Sequence, residues 1–201
     1  MKRDDFLLEI RTEEIPVPAL SGAREELARR IGDALSEEGL AAESIESYAT
    51  PRRLIVCARN VPERQPDRET EVLGPPATAA FDATGNPTRA AEGFARAQKV
   101  EVSDLVVVDS ARGKTVAIRR TVAGKAASDV LAEIVPRAVA ALSFPKTMRW
   151  GMGERSFVRP VRGMLALYGS ELVPMEILGT RSRASTVGHR VLSEGEIPIA
   201  R

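Results

Sequence analysis

The residues best suited to chemistry lie in one cationic segment, residues 145–162, which reads PKTMRWGMGERSFVRPVR. Five lysine or arginine side chains stand there against the single acid Glu154. Guanidinium groups match the geometry of phosphate oxygens, and Pro160 restricts the backbone between Arg159 and Arg162. Exposed ion pairs stabilise a fold by only about 0–1 kcal/mol each, so stability explains such a cluster poorly. The pattern favours contact with a polyanion.

A second basic segment, RSRASTVGHR at 181–190, contains no acid. Together with Lys146 and Arg149 it predicts one positive surface that fits a nucleic acid. The alternative is a solvated loop whose arginines pair with acids of the N-terminal part of the chain. That part, residues 1–50, has a negative net charge, with 12 Asp/Glu against 6 Lys/Arg. Trp150 could stack on a base, but packing beneath the loop is the favoured interpretation, since stacking serves mainly exposed single strands.

Three other motifs give weaker signals. RGKT (112–115) ends like a phosphate-binding loop, but Val108 stands where that loop needs a glycine, which favours a hairpin turn. GMGERS (151–156) lacks the third glycine of a dinucleotide fingerprint. The adjacent acids of TEE (12–14) are interpreted as complementing a helix dipole rather than as a catalytic pair or a metal site. Because His189 is the single histidine, a histidine relay and a multi-histidine metal site are excluded. No Ser–His–acid spacing stands out, and we expect no catalytic residue and no bound metal in this chain.

The composition is that of a globular protein. The 201 residues are 43% hydrophobic and 28% charged with a net charge of +1, and they can bury a proper core. The lone cysteine, Cys57 in the apolar run LIVCA, is interpreted as a small buried hydrophobe, which gives no support to an oxidising compartment. The N-terminal apolar stretch is too short for a signal peptide, and no run approaches a membrane span. We expect a soluble, cytoplasmic protein.

Hydrophobic periodicity predicts an α+β fold with a mixed, mainly antiparallel sheet and packed helices. FLLEI (6–10) and RRLIVCARN (52–60) are predicted strands. The helix between them stops at Gly39, and its apolar stripe consists of Leu20, Leu27, Ile31 and Leu35. We expect one domain over 1–201, with a division into lobes 1–70 and 71–201 as the alternative.

The remaining elements follow from turn and helix signals along the chain. In order they are a loop over 62–88, a helix over 88–99 with Thr88 as N-cap, a hairpin over 105–122, a helix over 127–143 that Pro136 kinks or restarts, and a hairpin over 161–178 that turns at Gly169-Ser170.

Six blocks occur in a recognisable order: FLLEIRTEEIP, TPRRL, GPP followed by AFDATGNPTRAAEGFAR, PKTMRWG, FVRPVR and GHR. Together they resemble the N-terminal part of the beta subunit of the bacterial, two-subunit glycyl-tRNA synthetase family, over nearly the whole chain. Two positions depart from the pattern. The first block usually has glycine where this chain has Arg11, and Val191 stands where the last block usually has phenylalanine. If position 11 required a positive φ, an arginine would strain the backbone there.

The resemblance implies a subunit several times longer than 201 residues, with HD-type and anticodon-binding domains in its later parts. It implies a ligase that attaches glycine to tRNA(Gly) with ATP, where ATP and the adenylate-forming core belong to the alpha subunit and this piece holds no cofactor. It also implies an α+β module similar to B3/B4 of phenylalanyl-tRNA synthetase. Editing is not expected, because no amino acid is smaller than glycine.

The basic segments and the resemblance together predict a non-catalytic domain that binds tRNA and supports subunit assembly. We expect phosphate contacts from six cations with His189 beside them: Lys146, Arg149, Arg159, Arg162, Arg181 and Arg190. The expected partners are the alpha subunit, the remainder of the beta subunit and tRNA(Gly), with no membrane. The alternative is a purely structural module that contacts the alpha subunit or the rest of beta.

Overall fold

A computed structural model describes residues 2–82, 84–110, 113–150, 156–189, 192–193 and 195–199. The chain forms two compact units, one of Met1–Gln65 with Lys125–Arg201 and one of Pro66–Gly124. The first is called the main unit below and the second the inserted unit. The single domain over 1–201 and its alternative, the lobes 1–70 and 71–201, stay predictions.

The strands and helices follow one another along the chain in an α+β order. The strands are β1 (Arg3–Thr12), β2 (Ser44–Thr50), β3 (Arg53–Pro62), β4 (Arg68–Pro76), β5 (Val106–Ser110), β6 (Gly113–Val122), β7 (Met148–Arg149), β8 (Ser156–Phe157), β9 (Val161–Tyr168), β10 (Glu171–Leu172), β11 (Glu176–Ile177), β12 (Thr180–Arg183), β13 (Ser185–Val187) and β14 (Glu196–Pro198). The helices are α1 (Val17–Glu37), α2 (Ala77–Ala80), α3 (Arg89–Gln98) and α4 (Ala127–Ala140), with a 3₁₀ turn at Val102–Asp104.

The main unit is built on one sheet with the strand order β11-β12-β9-β1-β3-β2, and β10 also pairs with β9. Every pairing in it is antiparallel except that of β12 with β9. The prediction of a mixed, mainly antiparallel sheet with packed helices is therefore confirmed. Successive side chains of the central strand β1 point to opposite faces of the sheet. One of these faces is fully buried and carries Phe6, Leu8 and Ile10.

Helices α1 and α4 contribute the apolar layer that covers this face. The predicted stripe on α1 is confirmed, since Leu27, Ile31 and Leu35 are fully buried and Leu20 packs against them half-buried. Gly39 follows the helix with a φ of 71°, as expected for a residue just beyond a helix end. Helix α4 runs through Pro136 as one element, with buried residues both before and after the proline.

The inserted unit contains the sheet β4-β6-β5 and a small core around Ala80, Ala91 and Val116. The predicted hairpin of β5 and β6 is confirmed, and so is the Thr88 cap of α3, whose side chain accepts a hydrogen bond from the Ala90 amide. The predicted loop over 62–88 is wrong. Strand β4 and the short helix α2 lie there, because a long antiparallel pairing with β6 outweighs the low strand propensity of the Pro, Gly and Asp residues in this region.

The structure adds strand β2, which the sequence does not predict because its residues are mostly half-exposed and lack a clear alternation. Two further expectations need correction. The second strand of the 161–178 hairpin pairs with β9 only at β10, and β11 pairs with β12 instead. Cys57 is half-buried rather than buried, because it lies on the opposite face of β3 from the fully buried Val56 and Ala58.

Candidate nucleic-acid interface

Two clefts of the main unit share Arg11 and Arg162. The main cleft has a volume of about 600 Å³ and is lined by Arg11, Thr12, Glu14, Thr50, Pro51, Arg52, Arg53, Arg162, Val187, Gly188 and His189. The side cleft has a volume of about 520 Å³ and is lined by Arg11, Arg162, Gly163, Met164, Gly179, Thr180, Arg181, Arg183 and Glu196. The two clefts thus bring cations from distant parts of the sequence to one end of the sheet.

The register of the three central strands explains this convergence. Arg11 near the end of β1 is paired with Arg53 on β3 and with Gly163 on β9. The register with β9 shifts after Arg11, so that Thr12 pairs with Val161 and Arg162 is an extra residue on β9. A bulge of this kind bends a strand and re-aims side chains beside it. Arg162 accordingly lies exposed between the two clefts.

Arg11 packs across Gly163. A Cβ atom added to Gly163 would lie 2.0 Å from Nη2 of Arg11, so the absence of a side chain there makes room for the guanidinium group. Arg11 has no positive φ, and the arginine therefore causes none of the backbone strain considered above. Its side chain is 18% exposed, and its Nε is buried without a hydrogen-bond partner among the described residues.

Glu9 is a buried carboxylate that fixes one wall of the main cleft. It is 7% exposed, and its Oε2 accepts a hydrogen bond of 2.7 Å from Nη1 of Arg53. Its other oxygen accepts a hydrogen bond from the hydroxyl of Thr186. Nη2 of Arg53 donates to the carbonyl oxygens of Val187 and Gly188. These contacts tie the segment that leads to His189 onto the sheet.

Glu13 links two of the arginines that line the main cleft. Its carboxylate lies 2.8 Å from Nη2 of Arg52 and 3.2 Å from Nε of Arg162. The first turn of α1 carries no acid. The interpretation of the TEE motif as a helix-dipole partner is therefore wrong for Glu13, which serves in ion pairs instead.

The structure brings together three of the residues predicted to form the tRNA-binding surface. Arg162 and His189 line the main cleft, and Arg162 and Arg181 line the side cleft. The side chain of Arg162 is 64% exposed, whereas that of Arg181 is 85% exposed and lies 3.5 Å from Glu176. His189 is exposed, and its Nδ1 accepts a hydrogen bond of 3.3 Å from the Leu192 amide.

The other predicted residues lie elsewhere. Lys146 and Arg149 are exposed but line neither cleft, and Arg159 is half-buried and donates to the carbonyl oxygen of Val158 at 2.8 Å. Arg190 lies outside the described residues, as does Val191, the departure from the pattern of the GHR block. Trp150 is half-buried against the core of the main unit, in agreement with the packing interpretation.

Sequence reasoning missed most of the arginines that line the clefts. Arg52 and Arg53 belong to the TPRRL block, whose two cations stand at the beginning of a strand. Residues where a loop meets a strand often belong to binding sites, because the strand holds the loop in place. This position is the sequence signal that could identify Arg52 and Arg53 as site residues. Arg11 was noted only as a departure from a pattern, and Arg183 lies in the second basic segment.

Metal clusters and membrane-spanning helices are absent from the part of the chain that the structure describes. No group of three or more His, Cys, Asp or Glu residues there could hold a metal ion. None of the described helices is both long enough and apolar enough to cross a membrane.

Comparison with known proteins places this α+β chain in an aminoacyl-tRNA synthetase family. The family described as "Glycyl-tRNA synthetase beta subunit" matches residues 6–201. The protein named "Glycine--tRNA ligase beta subunit" from Nitratidesulfovibrio vulgaris (strain DSM 19637 / Miyazaki F) is 43% identical to this chain over 96% of it. The protein of the same name from Desulforamulus reducens is 43% identical over 98% of the chain. The protein of that name from Acaryochloris marina is 41% identical over 96% of the chain.

The chain belongs to the glycyl-tRNA synthetase beta subunit family. It spans about 28% of the length of these relatives.

Proposed function

We propose that this chain is a non-catalytic, RNA-docking domain of a glycine--tRNA ligase beta subunit. It supports the ATP-dependent attachment of glycine to tRNA(Gly), with ATP bound at the alpha subunit. The observation that carries this proposal is the convergence of Arg162, Arg181 and His189 on two adjoining clefts.

The ion pairs around the clefts leave these arginines available to a phosphate. Arg162 and Arg181 are largely exposed, and exposed pairs contribute only about 0–1 kcal/mol each. A phosphate oxygen can therefore replace a glutamate oxygen at little cost, and guanidinium groups bind phosphate in a two-pronged geometry. The glutamates reduce the positive potential around the clefts and so weaken non-specific attraction of a polyanion. Binding therefore depends mainly on direct contacts from the exposed arginines.

The test is the salt dependence of tRNA(Gly) binding to the 201-residue chain, measured by fluorescence anisotropy. We expect affinity to fall steeply with salt, and the slope of log K against log salt to decrease by roughly one for each of Arg162→Ala and Arg181→Ala. Arg29→Ala is the matched control, because Arg29 is 62% exposed and also pairs with a carboxylate, that of Asp33. Equal slopes in the wild type, the double variant and the control would refute the proposal.

The alternative, a structural module that binds the alpha subunit or the rest of beta, is favoured by a different feature. Strand β2 is the last strand of the main sheet, and Tyr48 on it is 54% exposed. The outer backbone groups of such a strand can pair with a strand of a partner. Pull-down of separate alpha and beta pieces by a chain that binds no tRNA would support this alternative.

A further inference from the structure

We propose that the main cleft holds one phosphate group of a nucleotide, with Arg11 as its central cation. This inference rests on the proposed function where the phosphate is part of an RNA. It differs from docking on exposed arginines because it assigns one ligand group to one mostly buried side chain.

The state of Arg11 is the first observation. Its side chain is 18% exposed, yet its one ion pair among the described residues is a 3.9 Å approach of Nε to Oε1 of Glu9, which is too long for a hydrogen bond. The Nε atom is buried without a hydrogen-bond partner in the described part of the chain. Buried donors are normally satisfied, and a guanidinium group offers five of them. An oxyanion in the cleft can supply acceptors to the other donors of this guanidinium group, while Nε itself stays buried.

Thr12 is the second observation. It lines the same cleft, is 2% exposed, and its hydroxyl also lacks a hydrogen-bond partner among the residues described. The bulge at Arg162 lies directly opposite Thr12 and Arg11. Bulges are frequent next to binding sites, because they turn side chains away from the regular alternation.

Size and charge identify the ligand. A volume of about 600 Å³ lies in the range of small-molecule sites and accommodates a nucleotide. Among the described residues, the lining holds four arginines against one acid, Glu14. Three of them, Arg52, Arg53 and Arg162, each pair with a glutamate outside the lining at 2.7–3.2 Å, whereas the one ion pair of Arg11 among the described residues is 3.9 Å long, so its charge is the least neutralised of the four. Phosphate is the oxyanion whose geometry a guanidinium group matches.

Gly163 provides a selective test. An alanine there would place its Cβ 2.0 Å from Nη2 of Arg11, at the end of a flexible side chain, so the guanidinium must move while the strand is kept. Gly22→Ala is the matched control, since nothing lies within 4 Å of a Cβ at that position of α1. Arg11→Gln removes the cation, and Arg29→Gln removes the same charge from an exposed site.

The ligand probes are adenosine 5′-monophosphate and adenosine, titrated into the 201-residue chain by calorimetry. We expect the nucleotide to bind and adenosine not to bind. Gly163→Ala and Arg11→Gln should weaken nucleotide binding by about ten- to a hundredfold, as expected for the loss of a hydrogen bond to a charged group, whereas both controls should leave it unchanged. Equal affinity for the nucleotide in the wild type and in both cleft variants would overturn the proposal. Far-UV circular dichroism establishes that each variant is folded.

Binding of tRNA(Gly) to the same variants separates the two proposals. Nucleotide binding that depends on Arg11, in a chain that binds no tRNA, supports this site as one for a free nucleotide and refutes the proposed function. Salt-dependent tRNA binding that is unchanged in Arg11→Gln and Gly163→Ala, without binding of the nucleotide, refutes this site and leaves the proposed function standing. If the phosphate comes from RNA, the nucleotide competes with tRNA and both variants weaken the two ligands together.

Discussion

Replacement of Arg53 by methionine tests whether the Glu9–Arg53 pair holds the wall of the main cleft in place. Methionine keeps much of the length of the side chain but removes the cation that donates to Glu9 at 2.7 Å. It also removes the donor to the Val187 and Gly188 carbonyl oxygens. The carboxylate of Glu9 then stays buried, with the Thr186 hydroxyl as its remaining close donor among the described residues and Nε of Arg11 as a cationic neighbour at 3.9 Å.

The size of the effect follows from the burial of the two partners. Removing one partner of a fully buried pair costs about 3–5 kcal/mol, whereas an exposed pair contributes about 0–1 kcal/mol. The side chain of Glu9 is 9% exposed and that of Arg53 is 23% exposed, so water screens the pair in part. We therefore expect Arg53→Met to lower the free energy of unfolding by about 2–3 kcal/mol.

The assay is urea unfolding followed by tryptophan fluorescence. Trp150 is the single tryptophan and packs against the core of the main unit, so its emission reports on the unit that contains the pair. Arg29→Met is the control for loss of an exposed cation and should change the stability by less than about 1 kcal/mol.

A double-mutant cycle with Glu9→Gln isolates the interaction from the effects of the single changes. The double variant should be more stable than the sum of the single losses predicts, by about 1–2 kcal/mol, because neither residue is then left as an unpaired buried charge. A coupling energy near zero, or a loss in Arg53→Met no larger than in Arg29→Met, would refute the assignment of this pair as a structural anchor.

Two smaller predictions concern single side chains. Burial raises the pKa of the Cys57 thiol above its ordinary value, so less thiolate is present at a given pH. The rate of alkylation by iodoacetamide should therefore reach its midpoint at a higher pH in the folded chain than in guanidinium chloride. An equal or lower midpoint would contradict this prediction. Thr88→Ala should destabilise the inserted unit by about 1 kcal/mol, because the Thr88 hydroxyl caps α3 by accepting a hydrogen bond from the Ala90 amide. The measurement is urea unfolding followed by circular dichroism. Thr88→Ser should retain the stability, and equal losses in both variants would argue against the cap.

The elements with a regular apolar pattern could be predicted from the sequence. The stripe of α1 and the alternation of β1 each specify a buried face, so their packing follows from local periodicity. Strands β2 and β4 could not be predicted in this way. Their residues are mostly half-exposed or exposed, and what holds them is pairing with β3 and β6.

The candidate site could be predicted only in part, for a related reason. A count of charges indicates that residues 145–162 are basic, but it does not show which cations share a face. Arg162 and Arg181 line the clefts while Lys146 and Arg149 do not. The decisive information is the register of three strands, which the positions of the charged residues along the sequence do not specify.

Register also explains why Arg11 and Gly163 belong together. They are partners across the β1–β9 pairing, and the guanidinium group of one occupies the space that a side chain on the other would fill. The extra residue in β9 is Arg162, which adjoins Gly163 in the sequence. The exposed Arg162 therefore lies directly beside the space above Gly163 that the guanidinium group of Arg11 occupies. A side chain at position 163 and an arginine lying across it at position 11 exclude each other on steric grounds. The cationic character of this end of the sheet therefore depends on a glycine as much as on the arginines themselves.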